Sequence, residues 1–278
     1  MAQPTARTAD KAPRQSIDRS GTPIIELRDI TKHFGSVIAL NGVTVSVYPG
    51  ECHCLLGDNG AGKSTFIKTM SGVHAPTSGE ILIDGTAKRL GTARAAIEAG
   101  IATVYQDLAM IPLMSVTRNF WMGREPLKGV WPMRFFDVDK AGEITMKEMS
   151  KMGIQLREPG QAVGTLSGGE RQTVAIARAV YFGARVLILD EPTSALGVRQ
   201  TSNVLATIDR VRKSGVGVVF ITHNVRHAMA VGDRFTVLNR GKTLGTADRG
   251  DVDINELQDL MAGGQEMANL EGSLGGTV

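Results

Sequence analysis

A chain of 278 residues with 42% hydrophobic and 21% charged side chains has room for one large core and the composition of an ordinary globular protein. Aromatics at 5% beside 33 glycines favour tightly turned α/β architecture over an aromatic-rich β sandwich. The 31 Lys and Arg against 28 Asp and Glu leave a net charge of +3, too small to argue for a nucleic-acid partner.

The segment Met1 to Gly21 is polar and lacks the apolar stretch of a secretory signal, so residues 1–22 read as a disordered lead-in. Ile24–Phe34 and Ala39–Val47 alternate as an antiparallel pair about the turn Phe34-Gly35-Ser36, and Pro49-Gly50 makes the next turn. Cys52–Leu56 is a short apolar strand whose two cysteines read as buried thiols in a reducing compartment. A Gly-rich loop and a helix over Ser64–Ser71 follow. A small strand lies between Thr77-Ser78-Gly79 and Asp84-Gly85, then a helix over Ala93–Ala99 and a strand over Ile101–Tyr105.

From about residue 107 to 165 the texture turns Met-rich and helical, clearest over Val138–Met152, and reads as an inserted lobe. The αβ alternation returns with helix Gly169–Tyr181, strand Val186–Leu189, helix Val198–Lys213 and strand Val216–Thr222. Strands near Phe235–Leu238 and Lys242–Gly245 close a main domain over 23–250. Residues 251–278 are expected to form a C-terminal helix and a mobile Gly-rich tail. No apolar run approaches the roughly 18 to 20 residues of a membrane span, so a cytoplasmic chain, docking on a membrane protein, is expected.

Gly57-Asp58-Asn59-Gly60-Ala61-Gly62-Lys63-Ser64, followed by Thr65, fits the phosphate-binding pattern GxxxxGK with Ser or Thr, between an apolar strand and a helix. The glycines let backbone N–H groups close around phosphate oxygens, and the helix N-terminus adds partial positive charge. Lys63 then reaches the β- and γ-phosphates of a nucleotide, and the Ser64 hydroxyl suits Mg²⁺. Val186–Glu191 is a buried strand ending in two carboxylates at a sheet's C-terminal edge, where open α/β sheets bind ligands. Asp190 suits the Mg²⁺ shell, and Glu191 the polarisation of an attacking water. Ser167-Gly168-Gly169 opens the next helix with an N-capping Ser and forms a second candidate anion site.

The Gly-rich loop, Leu166-Ser167-Gly168-Gly169-Glu170, the run from Leu187 to Leu196 (LILDEPTSAL) and His223, in that order, resemble the ABC ATPases over about Pro23 to Leu244. The resemblance implies an α/β P-loop NTPase core with an antiparallel β subdomain and an inserted helical lobe, using ATP and Mg²⁺. It implies that Ser167, Gly168 and Gly169 bind the γ-phosphate held by a partner copy, so that two sites form across a head-to-tail homodimer. It also implies that Phe34 stacks on adenine, that Gln106 senses Mg²⁺ and the membrane partner, and that His223 contacts the γ-phosphate. His33, His53, His74 and His227 receive no role.

Two positions depart from the family pattern: Glu170 stands where Gln is usual, and Gly197 where an Asp usually helps link the two sites. The stretches GDNGAGKST, SGVHAPTSGEI, GIATVYQDLAMIPLMSVTRNFWMG and EPTSALGV resemble the bacterial importers of ribose, xylose and fructose. That likeness implies permease subunits and, indirectly, a sugar-binding protein as partners. An amino-acid or lipid importer is the alternative within transport. A DNA-acting member would carry a long coiled coil, a ribosome-acting one two cassettes, and a small-molecule kinase would have no use for LSGGE.

Overall fold

The computed structural model describes residues 17–263. Most of the expected lead-in and the Gly-rich tail after Gly263 lie outside the described residues. Ordered contacts begin before residue 22. Arg19 donates to Glu51 Oε1 at 2.9 and 3.1 Å and to Asp248 Oδ2 at 2.6 Å. The Glu51 carboxylate is buried, which pushes its pKa up, and a guanidinium is the group that can share that site as a charge partner.

β1 (Ile25–Phe34) and β2 (Val37–Val47) form the expected antiparallel hairpin, with register shifts along its second half. β3 (Cys52–Leu56) leads through the Gly-rich loop into α1 (Lys63–Met70), followed by β4 (Ser78–Ile83) and the two-residue β5 (Thr86–Ala87). These complete a four-stranded antiparallel sheet in the order β2-β1-β4-β5. α2 (Ala93–Glu98) and β6 (Ile101–Val104) then return the chain to the main sheet.

The lobe contains α3 (Val116–Trp121), a hairpin of β7 (Leu127–Lys128) and β8 (Phe135–Phe136), and α4 (Val138–Lys151). Helix α3 shows no apolar period in the sequence because its buried residues include the polar Thr117 and Asn119 beside Val116, Phe120 and Trp121. It is capped by Ser115, whose hydroxyl accepts from Arg118 N–H. The core resumes with α5 (Gly168–Tyr181), β9 (Val186–Asp190), α6 (Val198–Lys213), β10 (Gly217–Thr222) and α7 (Val225–Val231). β11 (Arg234–Asn239), β12 (Lys242–Asp248) and α8 (Ile254–Met261) close it.

The main sheet runs β12-β11-β3-β10-β9-β6, parallel except for β12. Its central strands are continuous apolar runs because both faces are covered. On one face Leu55, Ile188 and Val219 pack with Phe66, Ile67 and Met70 of α1 and with Leu27 and Val45 of the small sheet. On the other, Cys54, Leu187 and Phe220 pack with Ile176, Val204 and Ile208. The lobe has its own core around Phe120, Trp121, Met149 and Val163. Cys52 and Cys54 are both free and buried, and burial pushes the Cys54 thiol up, so it stays protonated and inert. No helix among the described residues is long and apolar enough to cross a membrane.

Candidate functional site

Parallel register aligns the strand ends. Leu56 pairs with Thr222, Ile221 with Asp190, and Leu189 with Val104. The residues that follow therefore emerge along one sheet edge: Gly57 after β3, His223 after β10, Glu191 after β9, and Gln106 just past β6. Positions scattered over more than 160 residues of sequence become neighbours by strand pairing alone.

Backbone approach dictates the Gly-rich loop. A Cβ on Gly57 (φ +154°) would lie 2.5 Å from the Leu238 carbonyl oxygen, and one on Gly62 (φ +105°) 2.9 Å from that of Ala39. The Gly241 N–H donates to Ala61 O at 2.9 Å, so the turn after β11 presses the loop from outside. Asp58, Asn59 and Gly60 are exposed at its rim. Lys63 is buried, its ammonium donating to Gly57 O at 2.6 Å and Asp58 O at 3.0 Å inside the loop. Gly62 caps α1 without a side-chain hydrogen bond, and no acidic residue stands in the first turn that holds Ser64 and Thr65. Backbone amides and helix polarity are thus left for an anion. Phe34 stands 44% exposed at the tip of the β1–β2 hairpin, edge-on to His74 at 5.2 Å, with Lys32 Nζ 5.1 Å from its centroid.

Asp190 is half-buried, and its carboxyl is pushed up by burial and by Glu191, while Lys63 pulls it the other way. A half-buried carboxylate pressed by a second one, on the same edge as the Ser64 hydroxyl and the exposed Gln106 amide, is a hard-oxygen donor set that a divalent cation relieves. The described residues hold no cluster of three or more His, Cys, Asp or Glu suited to a metal. So sparse a donor set fits magnesium, which keeps waters and phosphate oxygens in its shell.

Glu191 occupies the left-handed region at φ +45°. Its carboxylate accepts from the Thr222 hydroxyl at 3.1 Å, from His223 N–H at 3.0 Å and from His223 Nδ1–H at 2.9 Å. Two functional candidates read separately from the sequence are therefore directly bonded. His227, which received no role, lies one helical turn beyond His223 with its ring against Thr193. Its sequence neighbourhood carries no signal, because only the folding of α7 over the turn after β9 brings it there.

Ser167 caps α5 as read. Its hydroxyl accepts from Glu170 N–H at 3.3 Å, and Glu170 Oε2 accepts from Ser167 N–H at 2.7 Å, a reciprocal capping box. A Cβ on Gly168 would meet Leu196 Cδ2 at 2.8 Å, and one on Gly169 the Gln200 Cβ at 3.0 Å, so both glycines admit the start of α6. The side-chain hydrogen bonds of this segment close within Leu166–Thr173. Gly197 caps α6 with no side-chain bond. Between core and lobe lies a groove of about 360 Å³ lined by Ala102, Tyr105, Leu108, Met110, Arg178 and Phe182.

Residues 40–194 match the family model described as ABC transporter. The chain is 40% identical over 238 residues to the xylose/arabinose import ATP-binding protein of Sulfolobus acidocaldarius, covering 86% of this chain and 93% of that protein. It is 40% identical over 248 residues to the fructose import ATP-binding protein of Rhizobium meliloti, covering 88% and 95%. A ribose import ATP-binding protein of Rubrobacter xylanophilus is 42% identical over 243 residues, but the match spans only 47% of its length. Among solved structures, a nucleotide-free ATP-binding cassette from an ABC transporter superposes with a TM-score of 0.73 at 21% identity, covering 85% of this chain and 96% of that one. An ATP-binding cassette in its ADP conformation gives 0.72 at 22% identity, covering 86% and 95%. These last two share the fold.

Proposed function

The chain belongs to the ABC transporter family of ATPases, and on that premise we propose that it powers import of a monosaccharide as one half of a head-to-tail dimer docked on a permease. The observation that carries the catalytic reading is the bonding of Glu191 to His223 on the sheet edge that also presents Lys63. The loop amides and Lys63 bind the β- and γ-phosphates, and Phe34 offers its exposed ring to the adenine. Glu191, held by three donors from β10 and its end, takes a proton from the attacking water. His223 steadies that carboxylate through Nδ1 and faces the γ-phosphate. Ser64, Asp190 and Gln106 would hold Mg²⁺, which would supply neutralisation of the charge developing on the phosphates.

The Ser167–Gly169 segment serves the partner's nucleotide. That its side-chain hydrogen bonds close within Leu166–Thr173 among the described residues supports this reading. The groove between core and lobe, beside Gln106, receives the permease, and the exposed apolar side chains Leu127, Trp131, Met133 and Phe135 on the same lobe favour such a contact. The sugar class rests on what the relatives are named for, import of xylose, arabinose, fructose and ribose. Monosaccharide uptake by cells lacking this chain is the test. Uptake of at least one pentose or hexose should fall and return with the wild-type chain but not with Lys63→Ala. Unchanged uptake across a panel of such sugars overturns the sugar assignment.

A further inference from the structure

Beside the backbone bond from Glu191 N–H to Ile221 O at 3.0 Å, two side-chain ties join the segment after β9 to the end of β10 and the residues beyond it. One tie is the Glu191 carboxylate with Thr222 and His223. The other is His227, whose Nδ1 lies 2.9 Å from the hydroxyl of Thr193. Thr193 is buried, two residues after Glu191, in a turn closed by Ser194 N–H on Glu191 O at 3.2 Å. At φ +45°, Glu191 holds a backbone conformation that a non-glycine residue keeps only where its surroundings impose it. On the other side, the backbone N–H of His227 donates to Asn224 Oδ1 at 3.1 Å, and Asn224 directly follows His223. The Asn224 amide nitrogen faces His227 Nε2 at 3.4 Å. With that amide as donor, Nε2 accepts and Nδ1–H donates to Thr193. Burial, joined by the neighbouring His223, holds the His227 pKa below its ordinary value, against the pull of Glu191, which keeps the ring neutral.

The first tie holds the Glu191 side chain; the second holds the turn that carries it, through the buried Thr193. We infer that His227 is a positioning residue for ATP hydrolysis, bracing through Thr193 the strained turn that aims Glu191 at the attacking water. The inference rests on the reading of Glu191 as the base.

Single-turnover and steady-state hydrolysis by the full chain test it. His227→Ala should lower kcat by about tenfold, with KM for ATP within about twofold, since a small misplacement of the base costs rate and not binding. His227→Asn, which keeps an N–H near the position of Nδ1, should recover most of the loss. In a Glu191→Gln background His227→Ala should cost nothing further, because no base remains to be aimed. A purely structural His227 would slow both backgrounds alike. Parent-like kcat for His227→Ala, or an equal loss in both backgrounds, overturns the inference. Parent-rate turnover by Glu191→Gln alone overturns the base assignment instead, and the inference with it.

Discussion

The Glu191 carboxylate accepts hydrogen bonds from both the backbone N–H and the ring Nδ1–H of His223, at 3.0 and 2.9 Å, across a gap of 32 residues in sequence. A carboxylate held this way is set by the neighbouring strand rather than by its own flexible side chain. Its orientation therefore depends on the register of β9 against β10.

Replacing Glu191 with Gln keeps the shape but removes the carboxylate proposed to take the water's proton. Turnover is expected to fall by about 10² to 10⁴, roughly 3 to 5 kcal/mol of barrier. Nucleotide binding should persist and an ATP-bound dimer accumulate, read by size-exclusion chromatography with and without ATP. Ser167→Arg should prevent that dimer. A monomeric Glu191→Gln with parent turnover would sink both the base and the composite site.

Gly57→Ala forces a methyl to within 2.5 Å of the Leu238 carbonyl oxygen at a φ of +154°. Backbone strain of this kind costs about 1 to 3 kcal/mol before any clash is counted. Both thermal stability and ATP affinity should drop. Gly197→Ala is the control: its Cβ would meet nothing within 4 Å and its φ is −67°. Calorimetric titration with ATP and a melting curve for each variant decide the matter.

Glu170 completes a capping box at the start of α5. Glu170→Ala should cost about 0.5 to 2 kcal/mol of stability, whereas Glu170→Gln, which can make the same bond to Ser167 N–H, should be close to neutral. Melting temperatures that fall equally for both would show that the carboxylate's charge, and not its hydrogen bond, is what α5 uses.

His53 is buried, with its ring between Ser46 O and the Thr236 hydroxyl, and burial, followed by the charge of Arg234, pushes its pKa down to about 3. The unfolded chain takes a proton at this residue below the ordinary value of 6.5, and the folded chain does not until about 3. Stability from this group is thus complete above pH 6.5 and is lost as pH falls through that value toward 3, at up to about 1.4 kcal/mol per pH unit. Urea unfolding between pH 7 and pH 5 should be less pH-dependent in His53→Gln than in the parent. Identical slopes would refute the shift.

Contiguous features were legible in the sequence because adjacent residues encode them. The Gly-rich loop announces itself by glycines that local backbone geometry demands, the strands β3, β9 and β10 by short, largely apolar runs, and the start of α5 by an N-capping serine before two glycines. Helices α3 and α7 were not. α3 buries Val116, Thr117, Asn119, Phe120 and Trp121, so polar and apolar side chains share its buried face and no apolar stripe shows, while α7 buries only Val225, Ala228 and Val231; their caps, Ser115 and Asn224, look like any loop residue. Arg19 reads as part of a polar lead-in until Glu51, 32 residues away, turns out to be buried beside it. The bond from Glu191 to His223 and the brace from Thr193 to His227 belong to tertiary structure alone. Each joins residues on different strand ends, and only the parallel register of β9 with β10, fixed by hydrogen bonds along the strands and by packing on both faces, brings those ends together.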